Sequence, residues 1–311
     1  MRDESPSWTA LVIAYAVIML GQTACELLPP RIVPIQMALL EAMDLPWKDY
    51  YFLLLLRSPI GPIISKFTHL WVSFLFCKDA LECIAFRKSF IEQQVCQFLQ
   101  TNKAAKPQVL ILGAGYDTLS LRIASSYPFA TFYEIDHPAT GNFRNDKLWN
   151  HDTSKGPFRV LGEKPKNLHT LTADLTQKNA LVQALKEDSC YSTSSPSIVI
   201  MEGLTMYLTR EQVHDMFDEI QKAVGPKSQA AFDMPKTTYD DENNDHSQRP
   251  YVGRITSFVV WYLKIKDEPW HLGMDIKILN EFLSESNSPW SLCSEIHSMG
   301  PINVAAVMLS K

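Results

Sequence analysis

From about residue 108 onward, short apolar runs alternate with amphipathic segments of helical spacing. The runs are rich in β-branched residues, which is typical of buried strands in a parallel sheet. The predicted strands are Val109–Leu112, Thr131–Ile135, His169–Ala173, Ile198–Glu202 and Gln229–Asp233. The predicted helices lie at 117–125, 138–150, 177–187 and 210–224. This alternation predicts an α/β fold with a mainly parallel, doubly wound sheet covered by helices on both faces.

The two ends of the chain show different patterns. Two β-like runs, Trp290–His297 and Asn303–Ser310, flank Met299-Gly300-Pro301 and predict a terminal antiparallel strand pair. Residues 1–100 are predicted to form a helical cap. Its predicted helices are Trp8–Leu20 with Ser7 as the cap, Ile35–Met43 and Asp79–Leu99, with breaks at Pro29, Pro30 and Pro34. No glycine-rich linker follows, so we assign the cap to the same domain as the core, residues 101–311.

Two apolar segments of the cap are long enough to raise the question of whether the protein contacts a membrane. Ala10–Leu20 is shorter than the roughly 20 residues that span a bilayer. No clear basic region precedes it, so we do not interpret it as a signal peptide. Residues 51–76 are interrupted by charged residues and prolines, and we interpret them as buried helices around a turn, with membrane contact as the alternative. We therefore expect a cytoplasmic protein without stable membrane insertion.

Composition excludes some classes of partner. The chain has 311 residues, a net charge of -5, 46% hydrophobic residues and 20% charged residues, which is ordinary for a globular enzyme. Without a block of basic residues, a nucleic-acid partner is not expected. The six cysteines form no CxxC pair, so we expect reduced thiols and no metal site. The acidic stretch Asp240–His246 predicts an exposed loop.

A glycine turn and an acidic residue suggest a nucleoside-containing ligand. The first predicted strand ends in Gly113-Ala114-Gly115, and glycine lets the backbone approach a ligand closely. The next strand ends in Asp136, whose carboxylate can accept hydrogen bonds from ribose hydroxyls. The pair predicts a site for an adenosine-containing cofactor.

The residues after this turn favour one cofactor over another. Nicotinamide-binding turns usually carry a third glycine, and Thr118 stands at that position. S-adenosylmethionine has no pyrophosphate and does not need the third glycine. Two further strands end in Asp174, followed by Leu175, and in Glu202. Acidic residues at three strand ends predict an S-adenosylmethionine site, in which Asp174 and Leu175 suit the edge and face of an adenine.

Four motifs carry a family resemblance. They are Leu112-Gly-Ala-Gly-Tyr-Asp-Thr118, Tyr133-Glu-Ile-Asp136, Ala173-Asp-Leu175 and Glu202-Gly-Leu-Thr-Met-Tyr207-Leu-Thr209. Together they resemble the leucine carboxyl methyltransferase family over roughly residues 80–235. The resemblance implies the Rossmann-like class I methyltransferase fold with an added N-terminal helical region. It also implies S-adenosyl-L-methionine as cofactor and S-adenosyl-L-homocysteine as product.

The resemblance also implies roles for individual residues. Gly113 and Gly115 would form the turn under the methionine part of the cofactor. Asp136 would bind the ribose, and Asp174 and Leu175 would frame the adenine. Glu202 would bind the methionine amino group, and Arg87 its carboxylate. Asp117 and Thr118 would position the turn.

The expected activity is O-methylation of a carboxylate, or alternatively a hydroxyl, of a small molecule by in-line displacement. A small-molecule acceptor is expected rather than a protein. Three alternatives remain. The chain could methylate a protein C-terminus, bind the cofactor without methyl transfer, or be a nicotinamide-dependent oxidoreductase. The second is motivated by Ala14-Tyr15-Ala16, which stands where the family usually has a basic residue.

The sequence does not assign catalytic residues. His137, His151 and Tyr207 are candidate bases, and Arg122, Arg249 and Arg254 are candidate partners of an acceptor carboxylate. The cap also contains many aromatic residues, which we interpret as its core rather than as an acceptor pocket. They are Trp8, Tyr15, Trp47, Tyr50, Tyr51, Phe52 and Trp71.

Overall fold

The structure is a computed structural model that describes residues 7–43, 45–75, 79–149, 158–238, 249–250, 256–265, 268–271, 274–285 and 288–309. The α-helices in these ranges are α1 (Trp8–Thr23), α2 (Ile32–Ala42), α3 (Trp47–Arg57), α4 (Gly61–Leu75), α5 (Glu82–Thr101), α6 (Leu119–Ile123), α7 (Pro138–Trp149), α8 (Phe158–Leu161), α9 (Ala180–Lys186), α10 (Arg210–Ala223), α11 (Thr256–Ile265) and α12 (Ile276–Ser284). The strands are β1 (Gln108–Leu112), β2 (Thr131–Asp136), β3 (Leu168–Thr172), β4 (Ser197–Met201), β5 (Gln229–Pro235), β6 (Thr237–Thr238), β7 (Arg249–Pro250), β8 (Trp290–Leu292), β9 (His297–Met299) and β10 (Ile302–Leu309). The loop predicted at Asp240–His246 lies outside the described residues.

Among the described strands, one sheet has the order β3-β2-β1-β4-β5-β10-β8, and β9 also pairs with β10. The five strands from β1 to β5 are parallel, whereas β10 runs antiparallel to β5, β8 and β9. The α/β fold, the parallel sheet and the antiparallel C-terminal strands are therefore confirmed. The chain order reverses between β1 and β4, and ligands of open α/β sheets bind at such a point beyond the carboxyl ends of the strands.

Two predicted elements differ from the structure for local reasons. The run Trp290–His297 is not one strand, because the exposed residues around Ser294 and Glu295 separate β8 from β9. The helix predicted to start at 177 starts at Ala180, because Asn179 adopts a left-handed backbone with a φ of 64°. Its N–H donates to Glu219, which lies on α10.

One predicted helix break is also wrong. Pro34 lies in the first turn of α2 instead of breaking the chain. A proline is tolerated there because the N–H it lacks would have no partner within the helix.

Alternate residues of the central strands pack into two separate cores. Val109 and Ile111 of β1 face a core shared with the cap helices α1, α2 and α5. Leu110 and Leu112 of the same strand face a core shared with α9, α10 and α12. The cap therefore packs directly on one face of the sheet. The division at residue 100 remains a prediction.

The segment predicted as buried helices at 51–76 is helical, but its predicted burial is wrong. α3 and α4 turn large apolar side chains to the outside, and Phe67, Leu70 and Trp71 are each at least 60% exposed. The residues of α4 that are fully buried against the protein are the small Gly61 and Ser65, while Ile64 and Val72 are partly buried against the core. Within the described residues, no helix has the length and apolar character needed to cross a bilayer.

A buried ion pair attaches the helices after β1 and β2 to the sheet. Both oxygens of Glu134 on β2 contact the Arg144 guanidinium of α7, with N–O distances of 2.8 and 2.9 Å. Ser120 of α6 also donates to Glu134, and Arg144 donates to the carbonyl of Asp117 at 2.7 Å. The pair therefore positions the loop that follows the glycine turn.

Replacement of Glu134 tests how much this ion pair contributes to the free energy of unfolding. Glu134→Ala leaves Arg144 buried without its carboxylate, and such a loss costs about 3–5 kcal/mol of unfolding free energy. Urea unfolding followed by circular dichroism measures the change. Glu187→Ala, at an exposed carboxylate that ends α9, is the matched control and should change the free energy by less than about 0.5 kcal/mol. Equal effects of the two changes would show that the pair does not stabilise the fold.

Candidate functional site

The glycine turn after β1 has the backbone that the sequence predicts. Gly113 and Gly115 have φ angles of 69° and 47°, a region that side chains other than glycine rarely adopt. A Cβ atom on Gly113 would lie 3.3 Å from Leu204, and one on Gly115 would lie 3.3 Å from Ala10. The Gly113 N–H donates to the Ile135 carbonyl at 2.8 Å, which fixes the turn beside the end of β2.

Asp136 is buried beside this turn. Its two oxygens accept from the backbone N–H groups of Gly115 at 2.5 Å and His137 at 2.6 Å. Burial raises the pKa of Asp136 above its ordinary value, although the two N–H donors oppose the rise. The predicted neighbours Gly115 and Asp136 are thus in direct contact, and the carboxylate lies at the carboxyl end of β2.

A buried ionic network links α5 to the loops after β1 and β4 and to β5. Arg87 donates through Nε to Glu202 at 2.9 Å and through Nη1 to Asp233 at 3.0 Å. Lys88 Nζ lies 2.6 Å from Asp117 and 2.8 Å from Glu202. All five side chains are at most 13% exposed. The network therefore brings two predicted residues, Arg87 and Glu202, into contact.

The network carries an excess of negative charge. Two cations, Arg87 and Lys88, face three acids, Asp117, Glu202 and Asp233. Burial acts to raise the pKa of Asp117, but Lys88, Arg122 and the Thr118 N–H together lower it by more, so that it lies at about 2. The site should therefore favour a ligand with a positive charge.

A cavity of about 670 Å³ joins the network to the glycine turn. Five of the predicted cofactor residues line it: Arg87, Gly113, Gly115, Asp136 and Glu202. Asp174 and Leu175 do not line it. The Asp174 carboxylate instead accepts from Thr176 and Gln177, so the predicted adenine contacts remain a prediction. A second, more open hollow near Thr237 and Asp275 contains none of the predicted residues.

The far end of the cavity is enclosed by α1 and by a segment near residue 270. Its lining there includes Trp8, Met206, Tyr207, Tyr262 and Trp270. The rings of Trp8 and Tyr262 are in edge contact, with centroids 5.1 Å apart. This end is mainly apolar and aromatic, which suits an acceptor with an apolar body.

Glu268 fixes the start of α1 above this end of the cavity. The backbone N–H groups of Trp8 and Thr9 donate to its carboxylate at 2.7 and 3.0 Å, and the Thr9 hydroxyl donates to it as well. The predicted cap Ser7 accepts from the Ala10 N–H at 3.2 Å and is confirmed. Carboxylates stabilise helix N-termini because the free N–H groups carry partial positive charge.

The candidate bases occupy different places. Tyr207 lines the cavity, and burial raises its pKa to about 12 despite the opposing contacts with Thr9 and Trp270. Tyr207 is therefore protonated at neutral pH and can donate a hydrogen bond but cannot act as a base. His137 lies outside the cavity, and its Nδ1 accepts from the Ala139 N–H at 3.3 Å. His151 lies outside the described residues.

The candidate cations do not reach the cavity in the described residues. Arg122 is buried and donates to Glu92 of α5 and to Thr118. Arg249 belongs to β7, which pairs with β6, and Arg254 lies outside the described residues. A carboxylate acceptor would therefore have to be bound by other donors.

The aromatic residues of the cap do not share one location. Tyr15 is buried and, with Phe52, forms part of the core as predicted. Trp8 lines the cavity. The prediction of a core position is wrong for Trp47, Tyr50, Tyr51 and Trp71, which are exposed.

The sequence did not identify Lys88, Asp233 or Glu268. Lys88 directly follows Arg87, and Asp233 ends the predicted fifth strand, so these positions carried a weak signal. Asp117 was expected to position the turn, and its bond to Lys88 is consistent with that role. Glu268 carried no signal, because its partners lie about 260 positions away along the chain.

A separate polar group lies away from the cavity. His169, Asp188 and Cys190 place their potential ligand atoms within 4.8 Å of one another, although the cysteine spacing predicted no metal site. His169 Nδ1 lies 2.7 Å from Asp188 Oδ2, a hydrogen-bonded pair that accounts for both side chains. None of the three lines the cavity.

The fold defined by this sheet, its switch point and its acid-tipped strands is the class I methyltransferase fold. Two solved structures are similar in fold. One is a DUF574 family protein from Streptomyces avermitilis MA-4680, with 12% identity, a TM-score of 0.51 and 79% and 90% of the two chains covered. The other is a putative methyltransferase from Thermobifida fusca YX, with 13% identity, a TM-score of 0.51 and 94% and 98% covered.

The model of the leucine carboxyl methyltransferase family matches residues 77–221. The resemblance predicted from the motifs is therefore confirmed over this segment, which is slightly less than half of the chain. A relative in Mycolicibacterium paratuberculosis K-10, named "Putative S-adenosyl-L-methionine-dependent methyltransferase", is 29% identical over 177 residues. The alignment covers 56% of this chain and 51% of the relative, so the matched part spans about half of that protein's length.

The free energy of unfolding should depend on pH through Asp117, one of the acids of the buried ionic network. The pKa of Asp117 is about 2, below its ordinary 3.8, so its contribution to stability is complete above about pH 4 and is lost as the pH falls through 2. Asp117→Asn should therefore lower the free energy of unfolding by about 2 kcal/mol near neutral pH, and this deficit should shrink towards pH 2. Urea titrations at each pH measure it. The control Asp218→Asn, at a half-exposed position on α10, should show no such trend. If the deficit for Asp117→Asn does not change with pH, the lowered pKa of Asp117 is not what stabilises the network.

Proposed function

We propose that the chain is an S-adenosylmethionine-dependent O-methyltransferase that methylates a carboxylate of a small molecule. The observation that carries the proposal is the single cavity in which the glycine turn, Asp136 and the Glu202 network meet an apolar, aromatic end. The family match and the names of the relatives support the same cofactor and reaction. A hydroxyl acceptor is the second form of the proposal.

The charges of the site fit the amino-acid end of this cofactor. S-adenosylmethionine carries a sulfonium and an ammonium against one carboxylate, and so has a net positive charge. The network of Arg87, Lys88 and three acids has the opposite sign. Glu202 would accept from the ammonium, and Arg87 would donate to the carboxylate. Both side chains already point into the cavity, so little rearrangement is required.

The glycine turn and Asp136 fit the middle of the cofactor. Gly113 and Gly115 have positive φ angles that glycine adopts without strain, and their backbone forms part of the cavity wall. Asp136 would accept from the ribose hydroxyls with the lone pairs not used by the two backbone N–H groups. Asp174 and Leu175, at the end of the neighbouring β3, are proposed to frame the adenine.

The bound cofactor supplies a methyl group already activated by the sulfonium. The chain then has to bind the acceptor oxygen in line with that methyl group and exclude water. A carboxylate acceptor needs no base, whereas a hydroxyl must lose a proton. No histidine is present among the described residues of the lining, and Tyr207 is protonated at neutral pH. These two observations favour a carboxylate acceptor.

Tyr207 is proposed to orient the acceptor. Its phenol group is buried in the cavity wall and can donate a hydrogen bond to an acceptor carboxylate. A charge-assisted hydrogen bond of this kind compensates for the absence of a cation among the described residues at this end. Methyl transfer neutralises the carboxylate, so the bond weakens in the product and favours its release.

Calorimetric titration with S-adenosylmethionine, S-adenosylhomocysteine and NAD tests the cofactor. We expect the first two to bind and NAD not to bind. Asp136→Ala and Glu202→Gln should each weaken binding roughly 10- to 100-fold, because each removes a hydrogen bond to a charged or buried partner. Glu187→Gln, at an exposed carboxylate, should bind as the wild type does.

Other outcomes of this titration distinguish the alternatives. Binding of NAD alone would favour an oxidoreductase and overturn the proposal. Binding of S-adenosylmethionine without product from any carboxylic acid, alcohol or C-terminal peptide would favour a protein that binds the cofactor without methyl transfer. Transfer to a peptide C-terminus only would replace the small-molecule acceptor by a protein.

Tyr207→Phe tests the acceptor chemistry. We expect kcat/KM for a carboxylic acid acceptor to fall about tenfold or more, because one charge-assisted hydrogen bond is lost, while the affinity for S-adenosylmethionine is unchanged. With a carboxylate acceptor the rate should be flat from about pH 6 to 9, since no base is required. Tyr191→Phe, a buried hydroxyl bonded to the Ala223 carbonyl away from the cavity, is the control. A rate that rises with pH would favour a hydroxyl acceptor.

A further inference from the structure

The outer surface of the α3–α4 hairpin is apolar where a soluble protein would normally be polar. On α4, the exposed fractions are 58% for Ile63, 61% for Phe67, 60% for Trp71 and 58% for Phe74. Their spacing of three or four residues places them on one face of the helix. Monomeric proteins rarely expose a continuous apolar surface of this kind unless it binds something.

The opposite face of α4 explains why this orientation is stable. Gly61 and Ser65 are buried against the protein, and Ser65 donates to Gln22 of α1 at 2.5 Å. A Cβ on Gly61 would lie 2.0 Å from the Leu56 carbonyl oxygen, so the helix approaches α3 closely at this point. Because Gly61 and Ser65 pack closely, and Ile64 and Val72 pack on the core from the same side, α4 cannot rotate to bury its outer residues without losing these contacts.

α3 adds aromatic residues and cations to the same hairpin. Trp47 is 68% exposed and Tyr51 63% exposed, and the two rings are in edge contact. Lys48 is exposed, with Nζ 5.5 Å from the centre of the Trp47 ring. On α4, the exposed Lys66 lies among the apolar residues. Lysines beside an apolar surface can lay their methylenes on it and extend the ammonium outwards.

The charge of the hairpin differs in sign from that of the whole chain. Residues 45–75 contain Lys48, Arg57 and Lys66 but only one acid, Asp49, whereas the chain has a net charge of -5. Arg57 pairs with Glu41 of α2, so Lys48 and Lys66 are the cations that concern the outer face. An aromatic and aliphatic face bordered by cations is typical of helices that lie in the interface of an anionic bilayer. An interface between two copies would bring the cations of both hairpins into one contact without matching acids on that face.

We propose that the α3–α4 hairpin docks the protein on the surface of an anionic lipid bilayer, with both helices lying in the headgroup region. The hairpin does not span the bilayer, because α4 has 15 residues and a length of about 22 Å, against roughly 30 Å of hydrocarbon. Val72 of α4 lines the cavity, so the docked helix is also a wall of the candidate site. The proposal does not depend on the proposed function.

Vesicle flotation of the full chain tests the docking. We expect the chain to float with vesicles of phosphatidylcholine containing about a third phosphatidylserine, and less with phosphatidylcholine alone. Phe67→Ser combined with Trp71→Ser should weaken binding to the mixed vesicles at least tenfold, because two exposed anchors are removed. Leu292→Ser combined with Met308→Ser removes two exposed apolar residues of the sheet edge and should change nothing.

A second pair of variants tests the charge. Lys48→Gln combined with Lys66→Gln should weaken binding to the phosphatidylserine vesicles roughly 30-fold and leave binding to phosphatidylcholine unchanged. Lys186→Gln combined with Lys222→Gln, at exposed positions on α9 and α10, should have no effect. Circular dichroism and S-adenosylmethionine titration of each variant separate loss of docking from loss of folding or of the candidate site.

Three results would overturn the proposal. The first is failure of the wild type to float with either vesicle. The second is flotation of the Phe67 and Trp71 double variant to the same extent as the wild type. The third is a wild-type dimer, seen by light scattering, that binds no vesicles and that the double substitution converts to a monomer. The last result would assign the face to a second copy of the chain. Docking without S-adenosylmethionine binding would leave this proposal standing while the proposed function fails.

Discussion

The buried network around Arg87 is the interaction on which the candidate site depends. Arg87 reaches Glu202 after β4 and Asp233 near the end of β5, and Lys88 reaches Asp117 beyond the glycine turn. Charges removed from water are tolerated only when they are paired, so α5 has one position against the sheet in which all five groups are satisfied. That position sets the distance between the loops after β1 and β4. The Gly203 N–H also donates to Asp233 at 2.6 Å, which fixes the backbone beyond β4.

Much of the core architecture could be predicted because its signals are local. The strand that ends in Gly113 and the strand that ends in Asp136 are short runs whose period and terminal residues identify them, and the two ends are in contact in the structure. The network could be predicted only in part. Arg87 bonds to Glu202 and Asp233 across 115 and 146 positions. The periodicity of apolar residues along the sequence does not indicate contacts between residues so far apart. The motif resemblance suggested Arg87 and Glu202, but not that the two would bind each other.

The outward orientation of the α3–α4 hairpin could not be predicted for a different reason. An apolar stripe at helical spacing shows that a helix has two faces, but not which of them meets the protein. In α4 the choice is made by Gly61 and Ser65, whose small size permits close packing and whose partner Gln22 lies on another helix. The usual expectation that large apolar residues are buried therefore fails here. It holds for α1, where Val17, Ile18 and Leu20 are all fully buried.

The cap also determines how an acceptor can be recognised. The N-terminus of α1 lies over the apolar end of the cavity, and a helix N-terminus would ordinarily bind an anionic acceptor. In this chain the N–H groups of Trp8 and Thr9 already donate to Glu268, and the Ala10 N–H donates to Ser7. The buried Glu268 carboxylate would also repel a second anion brought next to it. The helix N–H groups are therefore occupied. Under the proposed function, an acceptor carboxylate at this end would be bound by Tyr207, whose raised pKa keeps its proton available as a donor beside Thr9 and Glu268.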